Sequence, residues 1–182
     1  MNTRQRTGTE RRPVPFEPSW IPPERRAPTL SNTEIQLTRH VAATPAKVWA
    51  VLTDLDAAAT TLTGVISTER VEGEGYAVGT RWRETRKMLG KEATEEMWVA
   101  EVEPERRTVV KANSRGADYT SSFTLAPSGD GTDLSMTFTA DPGKSTVLAR
   151  LLMKVFGGLG AKATAKMMTQ DLRDIAAAAE AA

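Results

Sequence analysis

Residues 43–54 read ATPAKVWAVLTD, and this stretch sets the start of the first helix. The Thr44 hydroxyl can cap a helix, and Pro45 suits the first helical position because that position needs no backbone N–H. Val48, Val51 and Leu52 then recur at helical spacing. The stretch therefore predicts an amphipathic helix that opens at Thr44-Pro45.

Strand patterns lie on both sides of this helix. A first strand is predicted at about Glu34–Val41, and a second short helix at Asp56–Leu62, ending at Gly64. A series of strands follows, and the chain finishes with a long helical stretch from about Ser145 to Ala179. The predicted strands of the series are Val65–Val71, Thr80–Met88, Glu92–Val102, Thr108–Ala112, Tyr119–Leu125 and Thr132–Ala140.

The last two strands carry the clearest alternation of apolar and polar residues. Met136 and its apolar neighbours alternate with Ser and Thr, as expected of a strand with one buried face. A four-residue loop, Ser128–Gly131, sets Leu125 opposite Leu134 and Phe123 opposite Met136. The apolar faces of the two strands then coincide, so this register is self-consistent.

The order of elements predicts an α+β fold. Consecutive strands favour an antiparallel sheet of six to seven strands, curved around the long C-terminal helix, with two short helices after the first strand. Gly157, Gly158 and Gly160 interrupt that helix and predict a kink, a break or a close approach, because each glycine costs about 1 kcal/mol relative to alanine in a helix.

Composition excludes several kinds of chemistry. The chain has 182 residues, enough for one domain, and contains no Cys and a single histidine, His40. Thiol nucleophiles, disulfides and His-rich metal sites are thereby excluded, and we expect no metal and no redox cofactor. A net charge of +1 gives no field that would recruit nucleic acid, so no nucleic-acid partner is expected.

Residues 1–32 differ from the rest and are predicted to form a disordered Pro/Arg-rich tail before a domain at 33–182. The first 30 residues hold six of the ten prolines and six arginines against three glutamates. No apolar segment follows the early arginines, and no run approaches the roughly 18 apolar residues of a membrane span. We therefore expect a cytoplasmic protein without integral membrane insertion.

Several motifs together resemble the START-like, or helix-grip (SRPBCC), superfamily, and within it the polyketide cyclase/dehydrase and lipid-transport group. These are residues 43–54, Gly79-Thr80-Arg81-Trp82, the turn at 102–107 and Gly131-Thr132, and the resemblance covers roughly residues 33–179. It implies the helix-grip fold with one apolar cavity, open at one end, for a small hydrophobic or amphipathic molecule. It carries no fixed catalytic motif, because the superfamily includes carriers as well as enzymes.

Polar candidates for the cavity lie on the hairpin around Gly90. A three-residue loop, 88–90 or 89–91, would place Trp82, Glu84 and Arg86 on one sheet face with Glu96 and Trp98. Two carboxylates and a guanidinium on an aromatic-lined concave face could orient a ligand or move a proton. The alternative is a salt-bridge ladder near the sheet rim, or a four-residue loop that turns the set outward.

Other residues complete the predicted site. Tyr119 either hydrogen-bonds a ligand or caps the core edge, and it joins Glu84, Glu96 and Arg86 as a catalytic candidate. Arg39 either points inward or extends to solvent from the strand end, His40 is expected to face solvent, and Lys111 faces out or in according to the length of the Pro104 turn. The predicted ligand-binding residues are Trp82, Trp98, Tyr119, Ser121, Phe123, Met136, Phe138, Leu152, Phe156 and Leu159.

Three functions remain open on the sequence. The first is binding of a small hydrophobic molecule between the sheet and the C-terminal helix, as in lipid transport. The second is a polyketide-type cyclase or aromatase, with dehydratase-like chemistry, that uses polar cavity residues as acid and base. The third is a protein-interaction module with a filled core. The sequence gives neither the ligand nor the oligomeric state.

Overall fold

The computed structural model describes residues 33–88, 91–114, 117–141 and 147–182, and among them the side chains of 34–87, 92–113, 117–141 and 161–182. The predicted tail, 1–32, lies outside the described residues. The described part forms β1 (Thr33–Val41), α1 (Pro45–Thr53), α2 (Ala58–Thr61), β2 (Val65–Glu72), β3 (Arg81–Met88), β4 (Lys91–Glu103), β5 (Arg107–Ser114), β6 (Ala117–Ser128), β7 (Gly131–Asp141) and α3 (Val147–Ala181).

Helix α1 begins as its sequence predicts. The Thr44 hydroxyl accepts a hydrogen bond from the Lys47 backbone N–H at 3.4 Å, and Pro45 occupies the first turn. After α1, the Asp54 carboxylate accepts a hydrogen bond from the Ala57 N–H at 3.0 Å. Helix α2 then covers Ala58–Thr61, so it is shorter than the predicted Asp56–Leu62.

The strands form one curved antiparallel sheet in the order β1-β7-β6-β5-β4-β3-β2. The predicted α+β helix-grip arrangement is therefore confirmed. The β6–β7 register is also confirmed, since Leu125 pairs with Leu134 and Phe123 with Met136. The hairpin closes at the pair Ser128–Gly131, and Gly129 has a φ of 60° that favours glycine in so tight a turn.

Gly131 is required where β7 starts beside the end of β1. A Cβ at this position would lie 2.2 Å from the Val41 carbonyl oxygen. The close approach explains why the chain has a glycine directly before the buried residue Thr132.

The predicted register of the β3–β4 hairpin is wrong. Met88 pairs with Lys91, so two residues connect the strands instead of three, and Trp82 pairs with Met97. Because side chains alternate along a strand, this one-residue difference places Glu96 and Trp98 on the opposite face from Trp82.

Two apolar clusters hold the described fold together. The larger joins α1 and α3 to β1, β6 and β7 and includes Val48, Leu134 and Met168, all fully buried. The smaller joins Leu55 to Trp82, Val99 and Val110 on the central strands. Between these clusters, residues of α1, α2 and α3 face the inner side of the sheet.

Helix α3 runs as one element from Val147 to Ala181 and includes the three glycines of the predicted interruption. The predicted break into two helices is therefore wrong. Among the described residues, no helix combines the length and apolarity that a membrane crossing requires.

Candidate functional site

A cavity of about 460 Å³ lies between the inner face of the sheet and α3. Most of its wall is apolar, and the residues that provide this wall come from β1, α1, the central strands and α3. They include Ile35, Val51, Leu52, Leu55, Trp82, Met97, Val110, Phe123, Met136, Phe138, Met167 and Ile175. A volume of this size falls within the range of small-molecule sites.

One polar cluster interrupts the apolar wall, and we call its three residues, Glu84, Arg86 and Asp171, the charged triad. Arg86 Nη2 donates hydrogen bonds to both Asp171 carboxylate oxygens, at 2.8 and 2.9 Å. Arg86 Nε lies 3.1 Å from Glu84 Oε1, and the indole N–H of Trp82 donates to Glu84 Oε2 at 3.2 Å. The triad thus ties β3 to α3 across the cavity.

The triad is mostly removed from solvent. The side chains of Arg86, Glu84 and Asp171 are 16%, 11% and 8% exposed. Arg86 Nε and Glu84 form an ion pair, but this contact is not a hydrogen bond. The buried Nε has no hydrogen-bond partner among the described residues. The hydrogen bonds of Arg86 within the triad therefore go to Asp171, and its contact with Glu84 is an ion pair only.

Burial changes the acidity of both carboxyl groups. Desolvation raises the pKa of Glu84, and the Arg86 charge and the Trp82 N–H oppose this rise. Desolvation likewise raises the pKa of Asp171, again opposed by Arg86. Carboxyl groups with raised pKa in a cavity are candidates for holding and moving a proton.

Glu95 adds a third carboxylate close to the triad. It lies directly opposite Glu84 on the neighbouring strand and also lines the cavity. Directly paired residues on antiparallel strands have Cβ atoms roughly 5 Å apart. The negative charge of Glu95 accordingly adds to the rise in the pKa of Glu84.

Tyr76 closes another part of the wall. Its hydroxyl lies 2.9 Å from Thr108 Oγ1, and its ring meets Trp49 edge-on at 6.3 Å between centroids. Burial raises the pKa of Tyr76, so the phenol stays protonated near neutral pH. Tyr76 therefore offers the cavity a rigid aromatic surface whose hydroxyl is already bonded.

Comparison with known proteins identifies the family to which this fold belongs. The profile of the family described as "Polyketide cyclase / dehydrase and lipid transport" matches residues 32–180. The chain belongs to this family. A search of curated proteins found no match.

Solved structures share the fold of this polyketide cyclase/dehydrase family member. TTHA0849 from Thermus thermophilus is 25% identical, with a TM-score of 0.60 over 81% of this chain and 94% of that chain. The Zhui aromatase/cyclase from Streptomyces sp. R1128 is 17% identical, with a TM-score of 0.65 over 82% and 94%.

The di-domain aromatase/cyclase StfQ of the steffimycin biosynthetic pathway is 16% identical, also with a TM-score of 0.65. This chain aligns over 82% of its own length and spans about half of StfQ, 51% of that chain. Identities this low show the shared fold and no more for these two proteins.

The structure of this family member brings most predicted site residues to the cavity. Eight of them lie in its wall: Trp82, Glu84, Arg86, Tyr119, Ser121, Phe123, Met136 and Phe138. Tyr119 stacks on Phe138 at 5.9 Å between ring centroids. The side chains of Leu152, Phe156 and Leu159 lie outside the described residues.

Glu96 and Trp98 do not belong to the cavity, contrary to the prediction. Glu96 accepts a hydrogen bond from Arg81 at 3.1 Å on the outer face of the sheet, and the Arg81 guanidinium lies 5.4 Å from the Trp98 ring centroid. The two-residue hairpin connection is the physical reason, because it reverses which side of β4 faces inward. Glu95 and Met97 occupy the inner positions instead.

Arg39 and Lys111, whose orientation the sequence left open, lie away from the cavity, as does His40. Lys111 pairs with Trp98 and is exposed on the outer face. Arg39 is exposed at the end of β1, and His40 contacts Asp133 at 3.0 Å, also near solvent.

Asp171 is the most important residue that the sequence analysis missed. It lies between Met168 and Ile175 on the apolar side of α3, and both of those residues are buried. A lone carboxylate on an apolar helix face signals a buried partner or a site. That signal was present in the sequence, although the identity of its partner, Arg86, was not.

The site offers little to a metal ion. Among the described residues, no group of three or more His, Cys, Asp or Glu side chains is arranged to hold one.

Proposed function

We propose that this protein binds a small, predominantly apolar molecule in the cavity between the sheet and α3. The observation that carries the proposal is a cavity of about 460 Å³ with an apolar wall and a single buried charged cluster. An apolar wall binds a ligand because it removes apolar ligand surface from water, and a few fixed polar groups orient the ligand. Membership of a family that includes lipid transport agrees with this function.

The charged triad gives the ligand a defined orientation. A polar group of the ligand lies near Glu84 and Arg86, while its apolar body extends along Phe123 and Met136. Among the described residues, this cavity argues against the filled core that a pure interaction module would need. A cytoplasmic location stays a prediction of the sequence.

A matched pair of substitutions tests the binding site. Ser121 lies in the cavity wall, whereas the adjacent Ser122 faces the outer side of the sheet. We expect one equivalent of the neutral dye Nile red to bind with a rise in fluorescence. Ser121→Phe should weaken this binding at least tenfold, a loss of about 1.4 kcal/mol, because the ring fills the cavity.

Ser122→Phe is the control and should leave the dye affinity within about twofold. Absence of saturable dye binding, or equal losses in the two variants, would contradict the proposal. Extraction of the purified protein followed by mass spectrometry should also reveal a small molecule that Ser121→Phe no longer retains.

A second candidate function is a polyketide-type cyclase or aromatase. The specific observation in its favour is that Glu84 and Asp171, both with raised pKa, flank one guanidinium in the cavity. One carboxylate could take a proton from a carbon acid while the guanidinium stabilises the resulting oxyanion. The fold shared with two aromatase/cyclases is compatible with this chemistry.

Ring closure of a poly-β-ketone thioester analogue, followed by absorbance of the aromatic product, tests the second function. We expect Glu84→Gln to lower turnover at least a hundredfold while dye binding is kept. Equal turnover by the wild-type protein and by Glu84→Gln would leave binding as the function.

A further inference from the structure

The charges in the cavity wall are strongly unbalanced. Four carboxyl groups line it, from Asp54, Glu84, Glu95 and Asp171, and Arg86 is the single basic residue among the described residues of the wall. Asp54 is exposed at the end of α1, whereas Glu84 and Asp171 are buried. The buried groups Glu84, Asp171 and Arg86 retain an excess of one carboxyl group, and water screens charge least at that depth.

The one basic residue is already occupied by acidic partners. Arg86 Nη2 contacts both oxygens of Asp171 at 2.8 and 2.9 Å, and its Nε lies 3.1 Å from Glu84. An incoming carboxylate would have to displace one of these buried carboxylates, which would then lose its own partner. Breaking a buried ion pair in this way is strongly unfavourable. The described residues of the wall thus offer no unpaired cation to an anionic ligand.

Glu95, in contrast, has a free acceptor group. Within the described residues it makes no hydrogen bond and no ion pair, and the residue directly opposite it on the neighbouring strand is Glu84. Like charges directly opposite each other on paired strands are destabilising. A ligand cation placed between these two carboxylates would remove their repulsion and satisfy the acceptors of Glu95.

We propose that the molecule bound in this cavity is an apolar amine, with its ammonium group between Glu84 and Glu95. The inference rests on the proposed binding function and names the chemical class of its ligand. The apolar body of the amine lies against the wall formed by Trp82, Met97 and Met136. Fatty acids and other carboxylate amphiphiles are disfavoured by the same charges.

Three probes that share one alkyl chain test the inference: dodecylamine, dodecanol and dodecanoate. Each displaces Nile red from the wild-type protein at neutral pH, at concentrations below aggregation of the probe. We expect dodecylamine to bind at least tenfold more tightly than dodecanoate, with dodecanol between them. Dodecylamine and dodecanoate carry opposite charges at the end of the same alkyl group. The ratio of their affinities therefore shows whether the cavity favours a cation or an anion.

Glu95→Gln and Glu96→Gln form a matched pair for this measurement. The first removes the unpaired inner carboxylate, and we expect it to lower the amine-to-alcohol affinity ratio at least fivefold. The second removes the neighbouring outer carboxylate and should leave the ratio within about twofold of the wild-type value. Circular dichroism confirms that both variants are folded.

Each outcome decides between distinct conclusions. If dodecanoate binds as tightly as dodecylamine, or if Glu95→Gln leaves the amine preference intact, the amine proposal is overturned while the binding function stands. If none of the probes displaces dye, or if no dye binds, the proposed binding function fails and the amine proposal fails with it.

Discussion

The two faces of the β3–β4 hairpin use the same types of residue for different purposes. On the inner face, Trp82 donates to Glu84, and Arg86 links Glu84 to Asp171, with all of these groups mostly buried. On the outer face, Arg81 pairs with Glu96 at 3.1 Å and lies over Trp98, with the charged side chains 42% and 41% exposed. Residues one position apart on β3 and β4 therefore form a solvated ion pair on one face and a charged cluster in a cavity on the other.

The energetic consequences differ because water screens only one of the two faces. An exposed ion pair contributes little, since water solvates its members nearly as well when they are apart. In a buried cluster, by contrast, each member depends on its partners for stabilisation. Paired substitutions on the two faces therefore measure how far burial, and not residue type, determines the role of each group.

Removal of the two arginines should give the largest difference. We expect Arg86→Met to lower the free energy of unfolding by about 3 to 5 kcal/mol, because Glu84 and Asp171 lose their common partner. Arg81→Met should lower it by about 1 kcal/mol or less. Urea denaturation followed by tryptophan fluorescence provides both values, and equal losses would show that the inner face is as well hydrated as the outer one.

Removal of the indole N–H should give a smaller difference. Trp82→Phe leaves Glu84 Oε2 without its donor in a buried position, and we expect a loss of about 1 to 3 kcal/mol. Trp98→Phe keeps an aromatic ring beneath Arg81, so its loss should be below about 1 kcal/mol. Thermal unfolding of both variants tests this ordering, and a larger effect at Trp98 would contradict it.

The pH dependence of stability should report the burial of Glu84 on the inner face. A carboxyl group whose pKa is raised by folding binds its proton more tightly in the folded state, so stability falls as pH rises. For Glu84 this fall begins near its ordinary pKa of 4.5 and is complete once the pH exceeds its raised pKa in the folded protein. Each unit by which folding raises the pKa corresponds to a loss of about 1.4 kcal/mol in the free energy of unfolding across this pH range.

Glu84→Gln removes this contribution. We expect the stability of the wild-type protein relative to Glu84→Gln to decrease from pH 4.5 upward. Urea titrations of the wild-type protein and of Glu84→Gln at several pH values provide the two curves, and parallel curves would mean that folding does not desolvate Glu84.

The same hairpin shows where sequence-based prediction reached its limit. The β6–β7 register followed from the sequence because Phe123, Leu125, Leu134 and Met136 mark one apolar face on each strand. Strands β3 and β4 carry charged residues on both faces, so their alternation does not say which face is buried. The sequence analysis expected a three-residue connection around Gly90, with four residues as the alternative, and the two-residue connection of the structure decided the positions of Glu95 and Glu96.

Long-range pairing was the second limit. Arg86 and Asp171 are separated by 85 positions in the chain and meet only because α3 crosses the inner face of the sheet. The sequence identified Arg86 as a member of a polar cluster and assigned it the wrong glutamate, Glu96, as a companion. Helix periodicity placed Met168, Leu172 and Ile175 on the buried side of α3, and the position of Asp171 among them was the available evidence for its role.

Salt should produce the smallest of the expected effects, and it separates screened from unscreened charges. The coupling between Arg81 and Glu96, measured by a double-mutant cycle, should be about 0.2 to 1 kcal/mol at low ionic strength. At 1 M salt the screening length is only about 3 Å, so this coupling should approach zero. The coupling between Arg86 and Asp171 should keep most of its value, because ions have little access to side chains that are 16% and 8% exposed. If both couplings disappear in salt, solvent and ions enter the cavity freely, and the buried charges cannot orient a ligand as proposed.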